Sequence, residues 1–428
     1  MKILALNAGS SSQKSRLYAI ERETGQTGVH RTQAAGVHRT PLLPPKPMWE
    51  AEIDWGQRPG VAVLRVETDG GATLQRELPA ERQAALAAMI ETLWAGPACV
   101  VSGPSEIDGV GHRVVHGGLE YEESVRVTPQ VTAAIGRMAV IAPEHNPAAL
   151  DGMAVVERML GASTPQVAVF DTAFHAHMPQ AAAVYPGPYA WFEQGIRRFG
   201  FHGISYQYCS ERAAQLLGRD LAATGVHRTP LRLIICHLGN GCSLAAIAGG
   251  RSVDTTMGFT PMEGLMMGTR SGSVDPGILT YLLRERGASG DSLDRTLNHE
   301  SGLKGISGVS GDMRSVLAAR DKGNPRAVLA FDMFVHRLRF SIGAMLAVLG
   351  GLDALVFTGG IGEHSPEVRA GACEAFGFVG IRLDAARNAQ SPHDANVAAD
   401  DSSVPVLVIQ TQEDWMVARE CWRVLRRG

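Results

Sequence analysis

Two short polar turns, far apart in the chain, each interrupt a pair of apolar runs, and they restrict the possible folds more than any other feature. The first is Asn7-Ala8-Gly9-Ser10-Ser11-Ser12, between Ile3-Leu4-Ala5-Leu6 and Leu17-Tyr18-Ala19-Ile20. The second is His237-Leu238-Gly239-Asn240-Gly241, between Leu233-Ile234-Ile235 and Leu244-Ala245-Ala246-Ile247. Each spells strand, tight turn, strand. Small turn residues let backbone N–H groups approach an anion closely, and hydroxyls add donors. Two such hairpins suit a polyphosphate gripped between two domains, without a Walker loop.

Around the hairpins strands and helices alternate, which predicts α/β architecture. Periodicity predicts a helix over 80–94 with Leu86, Ile90 and Leu93 on one face. A second starts with Asn146 as N-cap and Pro147 at the first helical position, and runs to about 160. Residues 167–170 read as a buried strand that delivers Asp171 at its C-terminal end. Asp275-Pro276 opens another helix, a long helix covers about 326–349, and strand 354–357 follows it. The last strand is placed at 404–409 and the last helix at 413–425.

With 428 residues, 45% of them apolar, the chain can bury two large cores. A net charge of −3 and no long basic run argue against nucleic acid or an anionic membrane as a partner. The six cysteines are scattered without a C-x-x-C, as in a reduced, cytoplasmic protein, and the first residues turn polar too soon for a signal peptide. The apolar stretch 341–357 is broken by Gly350-Gly351 and Asp353, so it reads as a helix end and a buried strand rather than a membrane span. Gly-Val-His-Arg-Thr occurs at 28–32, 36–40 and 225–229. Unevenly spaced copies cannot stack as a solenoid and read as duplicated surface loop.

Several segments hold candidate chemistry. Residues 111–118, Gly-His-Arg-Val-Val-His-Gly-Gly, read as a strand with Arg113 and Val115 on one face, His112 and His116 on the other. A cation beside an apolar group suits a small carboxylate with an alkyl tail. The two histidines are too far apart on a strand to share a metal easily and read as structural. Asp171 lies where an α/β sheet presents its ligands; it orients a reacting group, binds a metal or caps a turn. His175 and His177 have no cysteine or acid cluster near them to complete a zinc site. His202, in Phe199-Gly200-Phe201-His202-Gly203, precedes a helix that Ser205 would cap. It is either a charge-stabilising group beside a phosphate or a packed loop histidine. Arg270, in a loop of Gly, Thr and Ser, is an oxyanion clamp or a surface residue. Residues 305–314, and the Gly-rich turn 359–364 ahead of a helix at Ser365-Pro366, suit a nucleotide.

Taken in order, these segments resemble the acetate kinase family, within the actin, hexokinase and Hsp70 ATPase superfamily, from residue 1 to about 424. The resemblance implies reversible transfer between ATP and a short carboxylate, giving an acyl phosphate and ADP, with Mg²⁺ or, in its place, Mn²⁺. It implies a two-domain actin-like ATPase fold (ribonuclease H-like), with mixed sheets flanked by helices around a central cleft. Domain one would be residues 1–172 with 414–428, and domain two 173–413. Closing the cleft would exclude water. Asn7 and Glu413 would position the metal. Lys14, His237, Leu238, Gly239, Asn240, Gly241, Asp312, Met313, Arg314, Gly360, Ile361, Gly362, Glu363 and His364 would bind nucleotide. Arg113, Val115, Phe201 and Pro261 would bind the carboxylate. Asp171, His202 and Arg270 would be catalytic. Acetate is the implied substrate, with propionate or butyrate as alternatives, and a non-catalytic ATP-binding switch is a further reading. A homodimer is implied.

The chain departs from the family pattern in four places. Glu144 stands where the family has a leucine lining the alkyl pocket, and Lys14-Ser15-Arg16 is more polar than usual. The match is poor over 24–60, and 223–230 looks inserted.

Overall fold

The structure, a computed structural model, describes residues 1–9, 12–21, 42–58, 60–221 and 229–427. Ser10, Ser11, the pentapeptide copies at 28–32 and 36–40, and the third copy apart from Thr229 lie outside the described residues. The chain divides into two compact units, Met1–Ala173 with Gln412–Gly428, and Phe174–Thr411.

Unit 1 is built on an eight-stranded mixed sheet. Its strands are β1 (Lys2–Ala8), β2 (Ser12–Ala19), β3 (Trp49–Arg58), β4 (Val61–Thr68), β5 (Thr73–Pro79), β6 (Gly109–Val114), β7 (Val125–Arg126) and β8 (Gln166–Phe170), in the order β5-β4-β3-β2-β1-β6-β8-β7. Strands β1 to β5 form an antiparallel meander, whereas β1, β6 and β8 run parallel. Parallel register brings the C-terminal ends of β1, β6 and β8 to one edge, the usual place for ligands in such sheets. Helices Arg82–Glu91 and Asn146–Leu160 add Leu86, Ile90, Val155 and Val156 to a core with Leu4, Leu6, Trp49 and Leu64. Helix Glu413–Arg427 returns from the far end of the chain and buries Trp415, Met416, Val417 and Cys421 in this unit. Glycines on β6 make room for it. A Cβ on Gly111 would lie 2.8 Å from Val417 Cγ1, and one on Gly109 would collide with Leu425.

Unit 2 carries a six-stranded sheet of β9 (Arg232–Leu238), β10 (Cys242–Ala248), β11 (Arg251–Thr255), β12 (Ala354–Thr358), β13 (Ala395–Asn396) and β14 (Val406–Val408), ordered β11-β10-β9-β12-β14-β13. Central strands β9, β12 and β14 are parallel and buried, which explains their continuous apolar runs. The long helix Pro325–Leu349 ends on Gly350 in the left-handed region (φ 62°), so the apolar stretch 341–357 is a helix end followed by β12. Among the described residues no helix is long and apolar enough to cross a membrane.

Local signals set some boundaries and missed others. Asp275 caps Pro276–Glu285 by accepting from Gly277 N. The first helix is shorter than 80–94, because the Glu81 side chain accepts from Gln83 N and Ala84 N and so starts the helix at Arg82. Asn146 is not an N-cap. It is the first helical residue, and its buried side chain instead accepts from His116 N and donates to the carbonyls of His116 and Ile135. The last strand is confined to Val406–Val408, and the last helix continues to Arg427.

Candidate functional site

In unit 1 the candidate side chains Asn7, Arg113 and Asp171 stand at the shared edge of β1, β6 and β8. Asp171 follows β8 directly, and its N–H bonds to Val114 O at 2.9 Å, which fixes it beside the end of β6. Its carboxylate receives three contacts from Arg113: Nη2 at 2.6 Å and Nε at 3.1 and 3.2 Å. Arg113 Nη1 donates to Asn7 Oδ1 at 3.0 Å. Asn7 Nδ2 donates in turn to Asp414 Oδ1 at 2.8 Å and Glu413 Oε2 at 3.3 Å. Asp414 Oδ2 lies 3.5 Å from Arg16 Nη1, and Arg16 Nε donates to Glu50 Oε2 at 2.7 Å. The result is one row of acids and bases joined through the Asn7 amide.

Burial pulls the Arg113 guanidinium down, but Asp171, Glu413 and Asp414 together hold it above its ordinary value. Burial likewise pushes the Asp171 carboxyl up, and Arg113 opposes it. The bidentate contact decides between these: a guanidinium does not give up its proton, so the pair is ionised. Asp414 and Arg16 belong to this row although the sequence did not single them out as site residues. The only hints were an acidic helix start and the unusually polar Lys14-Ser15-Arg16.

The strand carrying Arg113 is shorter than 111–118. β6 ends at Val114, and Val115 and His116 lie beyond it in irregular backbone, both buried. The Asn146 side chain takes both backbone groups of His116 and so replaces strand pairing there. Alternation therefore does not carry Val115 onto the face of Arg113. His112 is buried against Gln166 at 2.7 Å, and burial pushes its pKa down to about 4 despite that contact. Lys14 is exposed on β2, opposite Asn7 in the β1–β2 register, and Gly9 N bonds to Ser12 O to close the turn. Glu144 is half-buried in the loop that precedes Asn146–Leu160.

In unit 2 the second hairpin is the centre. His202 precedes helix Gly203–Leu216 with φ 59°, a left-handed conformation that costs a non-glycine residue about 1–2 kcal/mol. Side-chain contacts hold it there. His202 Nδ1 meets Ser243 Oγ at 2.8 Å, and the imidazole stacks on His237 with ring centroids 4.2 Å apart. Ser243 also bonds to Tyr206 Oη at 2.5 Å. Ser205 is not the N-cap. It lies inside the first turn, buried, where its Oγ meets His237 Nδ1 at 2.9 Å and Thr411 Oγ1 at 3.2 Å.

Around the turn 239–241 three further segments converge. A Cβ on Gly241 would lie 3.3 Å from His202 Nε2 and 3.5 Å from Arg270 Nη1, so glycine lets both bases approach the turn. Arg270 Nη1 donates to Pro261 O at 3.2 Å. Its loop is tied down by Gly268 N to Asn240 O at 3.1 Å and Leu303 N to Met267 O at 2.9 Å. Gly311 packs on Gly268, where a Cβ would lie 2.9 Å from Gly268 O, and this brings the residues before Asp312 to the same place.

Residues 359–364 form a short helix, Gly359–His364, rather than an open turn. Gly359 (φ 76°) packs against Leu238, and Glu363 Oε1 accepts from Gly359 N at 2.9 Å and Thr411 N at 3.0 Å. Burial pushes the Glu363 carboxyl up and these two N–H groups oppose it. Asp312 caps Met313–Asp321 through Arg314 N and pairs with the Arg314 guanidinium at 2.6 Å, while Met313 is buried. His175 is buried between Ser252 Oγ at 2.7 Å and Phe201 O at 3.1 Å, and burial lowers its pKa to about 4. It anchors the backbone just ahead of His202.

The model of the Acetokinase family matches residues 2–419. An acetate kinase of Nostoc punctiforme is 58% identical over 427 residues, and one of Gloeobacter violaceus 56%, each covering 100% of both chains. A crystal structure of Porphyromonas gingivalis acetate kinase aligns with a TM-score of 0.84 at 37% identity, covering 99% of each chain. A propionate kinase of Francisella tularensis aligns at 0.84 with 33% identity over 99% of each chain.

Proposed function

Because the chain belongs to the acetokinase family, with the two mixed sheets of an actin-like ATPase, we propose how its own residues perform the acetate kinase reaction. The protein is a phosphotransferase with a carboxyl acceptor, exchanging the ATP γ-phosphoryl group with acetate to give acetyl phosphate and ADP. One observation carries the residue-level reading: Arg113, Asp171, His202 and Arg270 are each held by named partners.

A carboxylate is already nucleophilic at neutral pH, so the reaction asks for in-line positioning and charge neutralisation rather than a strong base. Arg113 receives the carboxylate, and Asp171 keeps the guanidinium charged and aimed. Val115, Phe201 and Pro261 are assigned to the methyl group. The amides of the turn 239–241, with Lys14 and residues 312–314 and 360–364, are assigned to the nucleotide. His202 and Arg270 flank the turn and steady the phosphoryl oxygens as charge spreads over them. The transfer is direct, with the carboxylate oxygen taking the phosphoryl group as ADP leaves.

Glu413 supplies a carboxylate oxygen that fits Mg²⁺, or Mn²⁺ in its place, while Asn7, whose Oδ1 accepts from Arg113 and whose Nδ2 donates to Glu413, would position the ion through water. Among the described residues no group of three or more His, Cys, Asp or Glu could hold a metal, and Mg²⁺ commonly uses one or two carboxylates plus substrate phosphates and water. When bound, the ion neutralises phosphate charge. Hydroxylamine added to enzyme, ATP, Mg²⁺ and acetate should trap acetyl phosphate as a hydroxamate, faster than with propionate or butyrate. No hydroxamate with any of the three overturns the reading.

A homodimer is supported by helix Pro276–Glu285, on which every residue is exposed or half-buried, including Ile278, Tyr281 and Leu283. Phe340 and Leu329 are exposed on Pro325–Leu349. Exposed apolar groups of this size mark a contact surface. Light scattering should give twice 45.6 kDa; a single-chain mass refutes the dimer. The six cysteines are free and five are buried, which suits the reducing cytoplasm.

A further inference from the structure

Arg16 takes no part in the reaction described above, yet it lies in the same row of contacts as the proposed metal residues. On β2 it stands opposite Glu50 of β3, and Glu50 accepts from its Nε at 2.7 Å. Its Nη1 lies 3.5 Å from Asp414 Oδ2, and Asp414 is 5% exposed. The neighbouring residues pack as well: Tyr18 stacks edge-on against Trp415 with ring centroids 5.3 Å apart. On its other side Asp414 accepts from Asn7 Nδ2, the same nitrogen that donates to Glu413. One amide therefore bridges two adjacent carboxylates, and Arg16 sits on the second.

We propose that Arg16 is a positioning residue that withdraws Asp414 from the divalent cation, so the ion meets one carboxylate of this helix start instead of two. Ligand charge count sets how tightly a hard cation binds without help. With one carboxylate, tight binding waits for the nucleotide phosphates; with two adjacent carboxylates, the protein would retain a bare ion. Arg16 thereby ties metal occupancy to nucleotide occupancy. The inference rests on the reading of Asn7 and Glu413 as metal residues.

Free Mn²⁺ is the probe, titrated into the nucleotide-free full-length protein and followed by the electron paramagnetic resonance signal of the aquo ion. Arg16→Gln should bind Mn²⁺ about tenfold more tightly than the unmodified protein, one extra carboxylate having joined the site. Arg16→Lys, which keeps the charge, should stay close to the unmodified protein. Arg16→Gln combined with Asp414→Asn should return to it. Asp414→Asn alone should change affinity by less than about twofold, because Asp414 is already withdrawn. Unchanged affinity in Arg16→Gln, or a loss of about tenfold in Asp414→Asn alone, overturns the role of Arg16. Should Arg16→Gln fail to melt cooperatively, the Asp414→Asn and Arg16→Lys results decide. Glu413→Gln separates the two readings: it should weaken Mn²⁺ binding in every background, and no effect there refutes the metal assignment itself.

Discussion

The contacts that hold the candidate catalytic residues differ between the two units. In unit 1, Asp171, Arg113, Asn7, Asp414 and Arg16 stand in a row in which each group touches the next, two ion pairs joined through the Asn7 amide. In unit 2, His202 and His237 are fixed by hydroxyls and by stacking on each other, while Arg270 rests on a backbone carbonyl. A row of ion pairs is rigid but unforgiving, because removing one member strands a buried charge. Hydroxyls and carbonyls orient a base through directed hydrogen bonds, which suits groups proposed to meet an incoming polyphosphate. On the proposed roles, the first arrangement would present a pre-aimed cation to a small anion, and the second would aim donors at charge that develops only in the transition state.

The strongest way to break this contrast is Asp171→Asn. It removes the bidentate partner of buried Arg113, leaving only the more distant Glu413 and Asp414, so kcat should fall by about 10³-fold and stability by about 3–5 kcal/mol. Steady-state kinetics and a denaturant melt test both at once; lost activity with unchanged stability would mean the unit 1 row is not held by charge. Arg270→Ala should lower kcat by about 10²–10³-fold with little effect on ATP affinity or melting. An equal loss of ATP affinity would reassign Arg270 to binding of the ground state.

A third measurement uses pH. His112 in unit 1 and His175 in unit 2 both have folded pKa values of about 4. The unfolded chain titrates near about 6.5 and takes up protons that the folded protein refuses. Stability is therefore complete above about pH 6.5 and declines toward about pH 4, by up to about 3 kcal/mol for each histidine. His112→Gln should remove its share of that decline in urea midpoints measured across the range; a curve parallel to the unmodified protein's would refute the assignment. The smallest effect is expected from Ser243→Ala, which removes the partner of His202. It should reduce kcat about tenfold and stability by about 1 kcal/mol, far less than Asp171→Asn. A stability loss equal to that of Asp171→Asn would erase the distinction between the two frames.

What could be read from the sequence was local. The antiparallel strand pairs at both hairpins, the strand that delivers Asp171, the Asp275 cap and the break at Gly350 rest on neighbours within a few residues and stand in the structure, although Asn7, Ala8, His237 and Leu238, read as turn residues, belong to β1 and β9. Asn146 and Ser205 looked like caps because both residue types cap helices, but each is claimed by a partner distant in sequence: His116 for one, His237 for the other. The same Asn146 contact stopped β6 short of Val115. Residues 359–364 looked like an open turn because of their glycines, yet Glu363 and close packing of Gly359 on Leu238 wind them into a helix. Asp414 and Arg16 were invisible as site residues, since their contacts join opposite ends of the chain.

The return of helix Glu413–Arg427 to unit 1 also sets an order of assembly. A ribosome releases residues 1–173 long before it makes this helix, so β1 and β6 wait with Gly109 and Gly111 uncovered while unit 2 is translated in full. Glu413 and Asp414 arrive on the same late segment. The row of contacts in unit 1 is thus completed only by a segment made after unit 2, and a product terminated before that segment lacks both the cover on its first sheet and Glu413, the acid proposed for the metal.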